Sequence, residues 1–315
     1  MTEEVKKPEV NNRSEILFLY DVKDANPNGD PVDENKPRID EETKINIVTD
    51  VRLKRTIRDY LYEYKGKEVF VRETKNAAGN LKTKEDRLKD FENKPEEVLK
   101  KCVDIRLFGA TTAVENKTMA LTGPVQFKYG RSLHRVNHTF IKGTTVMPSG
   151  ADRKQGTFTE RYILPYSLIA FYGVINENAA KQQNIQLTEE DVSLMLEGMW
   201  SGTKNLISGS KFGQMPRLLM QVVYKQGNFY IGELDKRISL KAKDGSELNN
   251  PESIRDILEI KVDIANLVKA LNDHKDKIQN INLKTDERIA FIQDDKDVAI
   301  RDALKDMPVQ ELNLF

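Results

Sequence analysis

The chain has 315 residues, 38% of them apolar, which suffices for one large core or one core with insertions. Its 50 basic and 50 acidic residues cancel, which argues against coating nucleic acid or a membrane surface through net charge, so any basic site must be local. One cysteine, Cys102, excludes an internal disulfide; with no apolar leader and no run of about 18 uncharged apolar residues, the chain reads as cytoplasmic and without membrane contact.

After a polar leader, Ile16 to Val22 (ILFLYDV) predicts a strand, too short and too rich in aromatic and β-branched residues for a helix. The loop 24–31, DANPNGDP, follows; its Asn and Asp residues suit turn hydrogen bonds, and Gly29 suits a left-handed conformation between two prolines. Thr49 or a neighbour caps DVRLKRTIRDYL, where Leu53, Ile57, Tyr60, Leu61 and Tyr64 recur at helical spacing while Arg52, Arg55 and Asp59 fall on another face. Over 65–100 a hairpin is predicted, turning at Asn76 to Asn80, and then a highly charged segment; together they read as an insertion decorating the core. Strand signals return over Leu121 to Phe140, broken at Gly130, and over Thr157 to Leu164, and the loop TTVMPSGADRKQG between them suggests a projecting hairpin.

Thr188, followed by Glu189, Glu190 and Asp191, predicts a capping-box start for a helix with the stripe Val192, Met195, Leu196, Met199 and Trp200, ending near Gly202. The small-residue loop NLISGSKFGQMP leads to a hairpin expected from Leu218–Tyr224 and Phe229–Leu234. Asn250, Pro251 and Glu252 are expected to open the longest helix, with Ile254, Ile257, Leu258, Ala265, Val268 and Leu271 on one face. The order strand, helix, strands, helix, strands fits an α+β sheet of the ferredoxin-like or RRM type with insertions.

Charge is uneven: Thr122 to Asn176 carries seven bases against two acids, whereas Lys225 to the end carries fifteen bases against eighteen acids. That distribution suits an anionic ligand held by the middle of the chain, or head-to-tail contact between copies. Metal and cofactor chemistry find little footing. His134 and His138 have the i, i+4 spacing of a zinc helix, but Arg135 stands where a metalloprotease needs glutamate and the segment reads as strand. GMWSGTK (198–204) and GSKFG (209–213) match neither phosphate-loop motif, and no serine or cysteine stands in a nucleophile setting. Asp24, Asp30 and Asp33 could coordinate a divalent ion, or Asp30 could assist scission of a bound RNA; turn punctuation accounts for the same residues more simply.

RNA binding is better supported because independent parts converge on it. Arg52, Lys54, Arg55 and Arg58 could track phosphates along a helix, and Arg131, His134 and Arg135 beside Phe127 and Tyr129 offer charge with stacking surface. The loop Ser208 to Gln214 would let backbone amides approach a phosphate, with Lys211 adding a point charge.

Six ordered blocks, DANPNGDP, KPRID (36–40), VTDVRLKRTIRDYL (48–61), GPVQFKYGRSLHRV (123–136), QGTFTERYILPYSLIAFYG (155–173) and SGSKFGQMPRLL (208–219), resemble the multi-copy backbone subunit of type I CRISPR Cascade complexes, of the RAMP superfamily and close to the type I-B branch. The resemblance implies an RRM-like palm from 1–64 and 121–315, a finger or wrist insertion at 65–120, a thumb-like hairpin at about 137–160 and a C-terminal helical segment. It implies a non-catalytic subunit that polymerises along the guide segment of a CRISPR RNA in antiviral defence. The implied partners are that RNA, target DNA through the guide, further copies and the other Cascade subunits, with no cofactor and no metal. RNA contacts are then expected on Asn26, Asn28, Arg52, Lys54, Arg55, Lys128, Arg131, His134, Arg135, Arg153, Lys154, Ser208, Ser210, Lys211 and Gln214. Backbone subunits of the related type III complexes cut target RNA with an aspartate and type I subunits do not, so a metal-dependent ribonuclease using Asp30 stays as the alternative. A monomeric RRM-like RNA chaperone is a third reading.

Overall fold

In β1 (Ser14–Ala25) the side chains of Ile16, Leu17, Phe18 and Leu19 are all fully buried. A half-exposed strand would alternate apolar with polar, so this strand is covered on both faces. The structure, a computed structural model, describes residues 7–114, 117–144 and 158–314. Around β1 stand β2 (Ile45–Val48), α1 (Asp50–Glu63), β3 (Gly130–Arg135), β4 (Thr139–Thr144), β5 (Phe158–Ile175), α2 (Glu189–Lys204), β6 (Met215–Tyr224), α3 (Ala265–Asp273), β7 (Ile278–Thr285) and β8 (Val309–Glu311). The sheet runs β8-β7-β6-β1-β5-β3-β2, and β4 and the short strand Val125–Phe127 also pair with β5. Pairing is antiparallel throughout except between β7 and β8. Taken as β1, α1, β3, β5, α2 and β6, the four strands lie in the order fourth, first, third, second, with both helices packed on one face.

On that face, Phe18, Tyr20 and Phe171 meet Leu53, Ile57 and Leu61 of α1 and Met195 and Met199 of α2. Thr49 caps α1 as expected, and Thr188 with Asp191 forms the expected capping box on α2. The two helices approach closely: a Cβ on Gly202 would stand 3.0 Å from Tyr60 Cβ and one on Gly198 3.1 Å from Ile57 Cγ2. The opposite face, with Leu17, Leu19, Leu168, Met220 and Val222, is covered by α3 and a small sheet of Ser239–Ala242, Ile260–Asp263, Phe291–Gln293 and Lys296–Val298. No helix among the described residues is long and apolar enough to cross a membrane.

Three sequence expectations are corrected. Residues 250–271 form no single helix: Ile260–Asp263 is a strand between 239–242 and 291–293, and the continuous helix is confined to α3. Ile260 and Val262 are buried at period two, and Asp263 Oδ1 accepts the Ala265 N–H at the start of α3, so the apolar stripe spans two elements. The longest helix is α2. Residues 229–234 form no hairpin with β6, because β1 and β7 occupy both of its edges. Instead the Ile231 and Gly232 N–H groups each donate to the fully buried Glu15 carboxylate at 2.9 Å, which also accepts from the Tyr172 and Tyr224 hydroxyls. Finally, the hairpin expected over 66–83 reduces to one bridge, Lys75 with Leu81, around the 76–80 turn.

Residues 70–105 carry a small core of their own, Phe70, Leu88, Phe91, Val98, Cys102 and Ile105, built on helices Lys84–Lys89, Pro95–Lys101 and Val103–Phe108. Asp104, fully buried, ties it to α1: its carboxylate accepts from Arg58 Nε at 2.9 Å and from the Phe70 and Val71 N–H groups at 2.8 and 3.1 Å. Removing one partner of such a pair strands the other charge in a dry site, so Asp104→Ala is expected to cost about 3–5 kcal/mol. Chemical denaturation checks this; an exposed pair would cost at most about 1 kcal/mol.

Candidate nucleic-acid interface

Antiparallel pairing of β1 with β6 sets Asp21 opposite Met215, so the loop after β1 and the loop before β6 emerge at the same end of the sheet. They are joined there, Asn26 N–H donating to Ser210 O at 2.8 Å. The Asn26 side chain, 2% exposed, donates to Asn35 O at 2.7 Å, and Asn28 Oδ1 accepts from both the backbone and the hydroxyl of Thr49 at 2.9 Å. The second contact fastens the loop to the first turn of α1. The left-handed positions are Asp24, Glu34 and Asn35; Gly29 is not among them. It pairs with Pro37 in a two-stranded ribbon, where a Cβ would stand 2.1 Å from Asn35 Oδ1, so close approach is what demands glycine. DANPNGDP is therefore the clamp that holds the α1 start and the 208–214 loop together.

Two cations meet at this clamp. Arg52, half-buried in the first turn of α1, donates to Thr56 Oγ1 at 2.9 Å and forms no ion pair among the described residues. Lys211 Nζ donates to Ser210 Oγ at 3.2 Å and likewise has no acid. Burial holds the Lys211 ammonium below the usual lysine range, and the positive charge of Arg52 depresses it further; burial lowers Arg52 as well. Gln214, 5% exposed, leaves Nε2 without a hydrogen-bond partner, and Asn26 Oδ1 is unpartnered too. Two cations that repel each other, with only the more distant Asp59 among the described acids acting on Arg52, and an unused amide donor in the loop that carries Lys211, form an arrangement to which an anion can add partners. Beside it a cleft of about 240 Å³ is lined by Asn26, Asn35, Arg161, Tyr162, Ser210 and Phe212.

The remaining expected residues divide by what they already touch. Lys54 pairs with Asp50 at 2.7 Å and lies over the Phe108 ring, and Arg55 pairs with Asp59 through two bonds of 2.7 and 2.8 Å, both on the side of the insertion. Lys128 pairs with Glu233 at 3.1 Å, level with Tyr172 and Leu17, toward the other end of β1. Arg131 and Arg135 project outward from β3, with Asp40 at 3.9 Å and Glu252 at 3.7 Å. His134 departs from the expectation. At 4% exposure it stacks on Tyr166, faces the Arg135 and Pro251 carbonyls through Nδ1 and accepts the Leu168 N–H at Nε2. Burial pushes its pKa down, so it is a neutral clamp inside the protein and not a surface cation. Phe127 is core while Tyr129 is exposed. Arg153 and Lys154 lie outside the described residues.

Asp30 Oδ1 accepts the Val32 N–H at 3.0 Å and its other oxygen pairs with Arg38, while Asp33 pairs with Lys36 at 2.7 Å. Among the described residues no group of three His, Cys, Asp or Glu side chains could hold a metal ion. Sequence reasoning passed over Arg161 and Tyr162. Arg161 Nη1 donates to Gly209 O at 2.8 Å, and the Tyr162 hydroxyl donates to Glu34 while Lys36 lies over its ring. The signal available was a cation next to an aromatic at the start of a strand that follows a basic loop.

These features define an α+β protein with a cationic clamp at one end of its sheet. Residues 12–264 match the family of CRISPR-associated protein Cas7, and the chain belongs to that family. It is 33% identical over 309 residues, 88% of each chain, to the CRISPR-associated protein Cas7 of Haloferax volcanii. Its fold is similar to a chain of a CRISPR RNA-guided surveillance complex (TM-score 0.54, 16% identity, 87% of this chain and 89% of the other). A chain of a pre-nicking complex of the same kind gives TM-score 0.56 at 12% identity, over 95% and 96%.

Removing the Arg52 charge, as in Arg52→Gln, is expected to raise the Lys211 pKa, measured by NMR titration of the lysine ammonium, and a bound phosphodiester should raise it in the unaltered chain. With its folded value depressed, Lys211 binds fewer protons folded than unfolded. Its contribution to stability therefore rises with pH between the folded and the ordinary lysine value. A Lys211 titration indifferent to Arg52 would contradict the pairing.

Proposed function

We propose that this chain is the non-catalytic backbone subunit of a Cascade surveillance complex of the type I-B branch, polymerising along the guide segment of a CRISPR RNA in the cytoplasm. The observation that carries the reading is the pair Arg52 and Lys211, neither in an ion pair among the described residues and the first depressing the second, with the Gln214 amide donor unused in the same loop as Lys211. The fourth-first-third-second strand order with two helices on one face supports an RRM-like palm. The separate core over 70–105 supports a finger insertion within 65–120, and the pairing of β4 with the first part of β5 supports a thumb-like hairpin at about 137–160. Arg131 and Arg135 extend the phosphate track, with Asn26, Asn28, Ser208 and Ser210 shaping the clamp. Base pairing by the guide then reads target DNA while protein holds the RNA backbone.

Light scattering coupled to gel filtration, with and without a co-expressed repeat-spacer transcript, tests this. Assemblies whose mass grows with guide length are expected, and Arg52→Ala with Lys211→Ala should lower RNA affinity and flatten its salt dependence by roughly 0.7 per lost phosphate contact on single-stranded RNA. An RNA-free monomer in both preparations would sink the reading. Regularly spaced, magnesium-dependent cuts in a complementary RNA, abolished by Asp30→Ala, would replace it with the ribonuclease one.

A further inference from the structure

Val32 is 94% exposed, more than any other large apolar side chain among the described residues, and the turn that carries it is tightly ordered. The Val32 N–H donates to Asp30 Oδ1 at 3.0 Å, the Asp33 N–H to Asp30 O at 3.2 Å and the Lys36 N–H to Asp33 O at 2.8 Å, while Asn26 Nδ2 holds Asn35 O at 2.7 Å. Next to Val32 stand Asp33 and Glu34, both exposed, and Lys36 is the one cation they share, at 2.7 and 3.5 Å. The tip of the turn is therefore a preorganised aliphatic knob with a surplus negative charge, and little ordering entropy is lost when such a knob is seated. A lone exposed aliphatic is ordinary; what gives this one meaning is a groove of matching chemistry on the same chain.

That groove, of about 480 Å³, lies between α1 and the 70–111 segment. Three aliphatic side chains line it and stay exposed, Val51 at 65%, Val71 at 42% and Leu81 at 61%. Its walls carry six bases against one acid, Glu73. Four of the bases are held by Asp59, Asp104 and Asp90, which leaves Arg72 and Lys84. Arg72 keeps Nε buried without a hydrogen-bond partner, and the Glu68 carboxylate 3.6 Å from it is also taken by Arg87. Lys84 is exposed and forms no ion pair among the described residues. The one aromatic of the lining, Phe70, is buried, so the groove offers no ring on which nucleic-acid bases could stack. An aliphatic side chain flanked by carboxylates fits it instead. We infer that the groove seats the 32–34 turn of a second copy of this chain, with Val32 against Val51, Val71 and Leu81, and Asp33 and Glu34 toward Lys84 and Arg72. Contact between two different patches of identical chains is heterologous, so it repeats from copy to copy instead of completing a pair. The inference rests on the polymerising reading above and names the contact by which one copy holds the next.

The test changes exposed positions only. A turn variant, Val32→Lys with Asp33→Lys, and a groove variant, Leu81→Glu with Lys84→Glu, are co-expressed with a repeat-spacer transcript, separately and together, and the products are sized by light scattering. Each variant alone is expected to lose the large assemblies, the affinity of copy for copy falling about ten-fold or more. Together they should recover them, because the basic turn of one chain meets the acidic groove of the other, and the unaltered turn of the second meets the unaltered groove of the first. In the unaltered protein, isotope-labelled and unlabelled chains assembled on the transcript and treated with a carbodiimide should be joined between chains from Lys84 to Asp33 or Glu34. Full-size assemblies from the groove variant would assign the groove to a different protein and overturn the contact. A mixture that stays small, or the absence of that inter-chain link, overturns it as well and leaves the polymerising reading standing. Unaltered chains that never assemble on the transcript overturn both. The cross-link is read on the unaltered chain, so it decides even where a variant folds poorly.

Discussion

Because β1 is covered on both faces and paired on both edges, neither its faces nor its edges can carry function, and only its ends remain. Fully burying a single Ile, Leu or Phe side chain contributes about 1.5–3 kcal/mol, and four consecutive residues of β1 do so. Among the described residues no loop interaction competes with that, so the loops go where the core sends them. One end of β1 delivers Asn26 to Ser210 and hence brings α1 and the 208–214 loop together. The other delivers Glu15 to the anchored 231–232 segment. The candidate interface is a consequence of one strand's position.

Given a chain with no net charge, the useful question is which cations can change partners. Arg58 cannot, since its acid, Asp104, is fully buried and separation would strand both charges. Arg131 and Arg135 can: they are exposed, their acids stand at 3.9 and 3.7 Å, and exposed pairs contribute about 1 kcal/mol at most. Lys211 needs no exchange, having no acid within ion-pair distance among the described residues, and Arg52 feels only the Asp59 that Arg55 already holds. Their mutual repulsion is a standing cost in the free protein, and a phosphate placed between them removes it. This ordering, and not the number of basic residues, makes the end of β1 the place where a polyanion gains most.

Much of this was legible in the sequence where local chemistry and tertiary context agree. The capped starts of α1 and α2 and the continuous apolar run of β1 each carry their own signal. The readings that failed are those in which a partner distant in sequence decides. Residues 250–271 have an apolar pattern that fits helix until the 239–242 strand offers an edge at Ile260. Likewise 229–234 looks like a returning strand until β7 takes the edge of β6. His134 looks like one of a basic trio, yet the strand's period turns it away from Arg131 and Arg135 and onto Tyr166. Arg161 was counted among the bases of the middle segment but could not be singled out, because its value comes from Gly209 across the clamp.

The same limit explains why residue type misleads about carboxylates here. Asp30 sits in a loop that invites a catalytic reading, but one of its oxygens holds Arg38 and the other orders the Val32 backbone, so it is spent on the ribbon that Gly29 and Asn35 require. Arg38 is likewise drawn into the ribbon by Asp30 and has no charge left to offer. A group can bind or react only with the lone pairs and charge that folding has left uncommitted. On that criterion the informative residues of this chain are Arg52, Lys211 and Gln214.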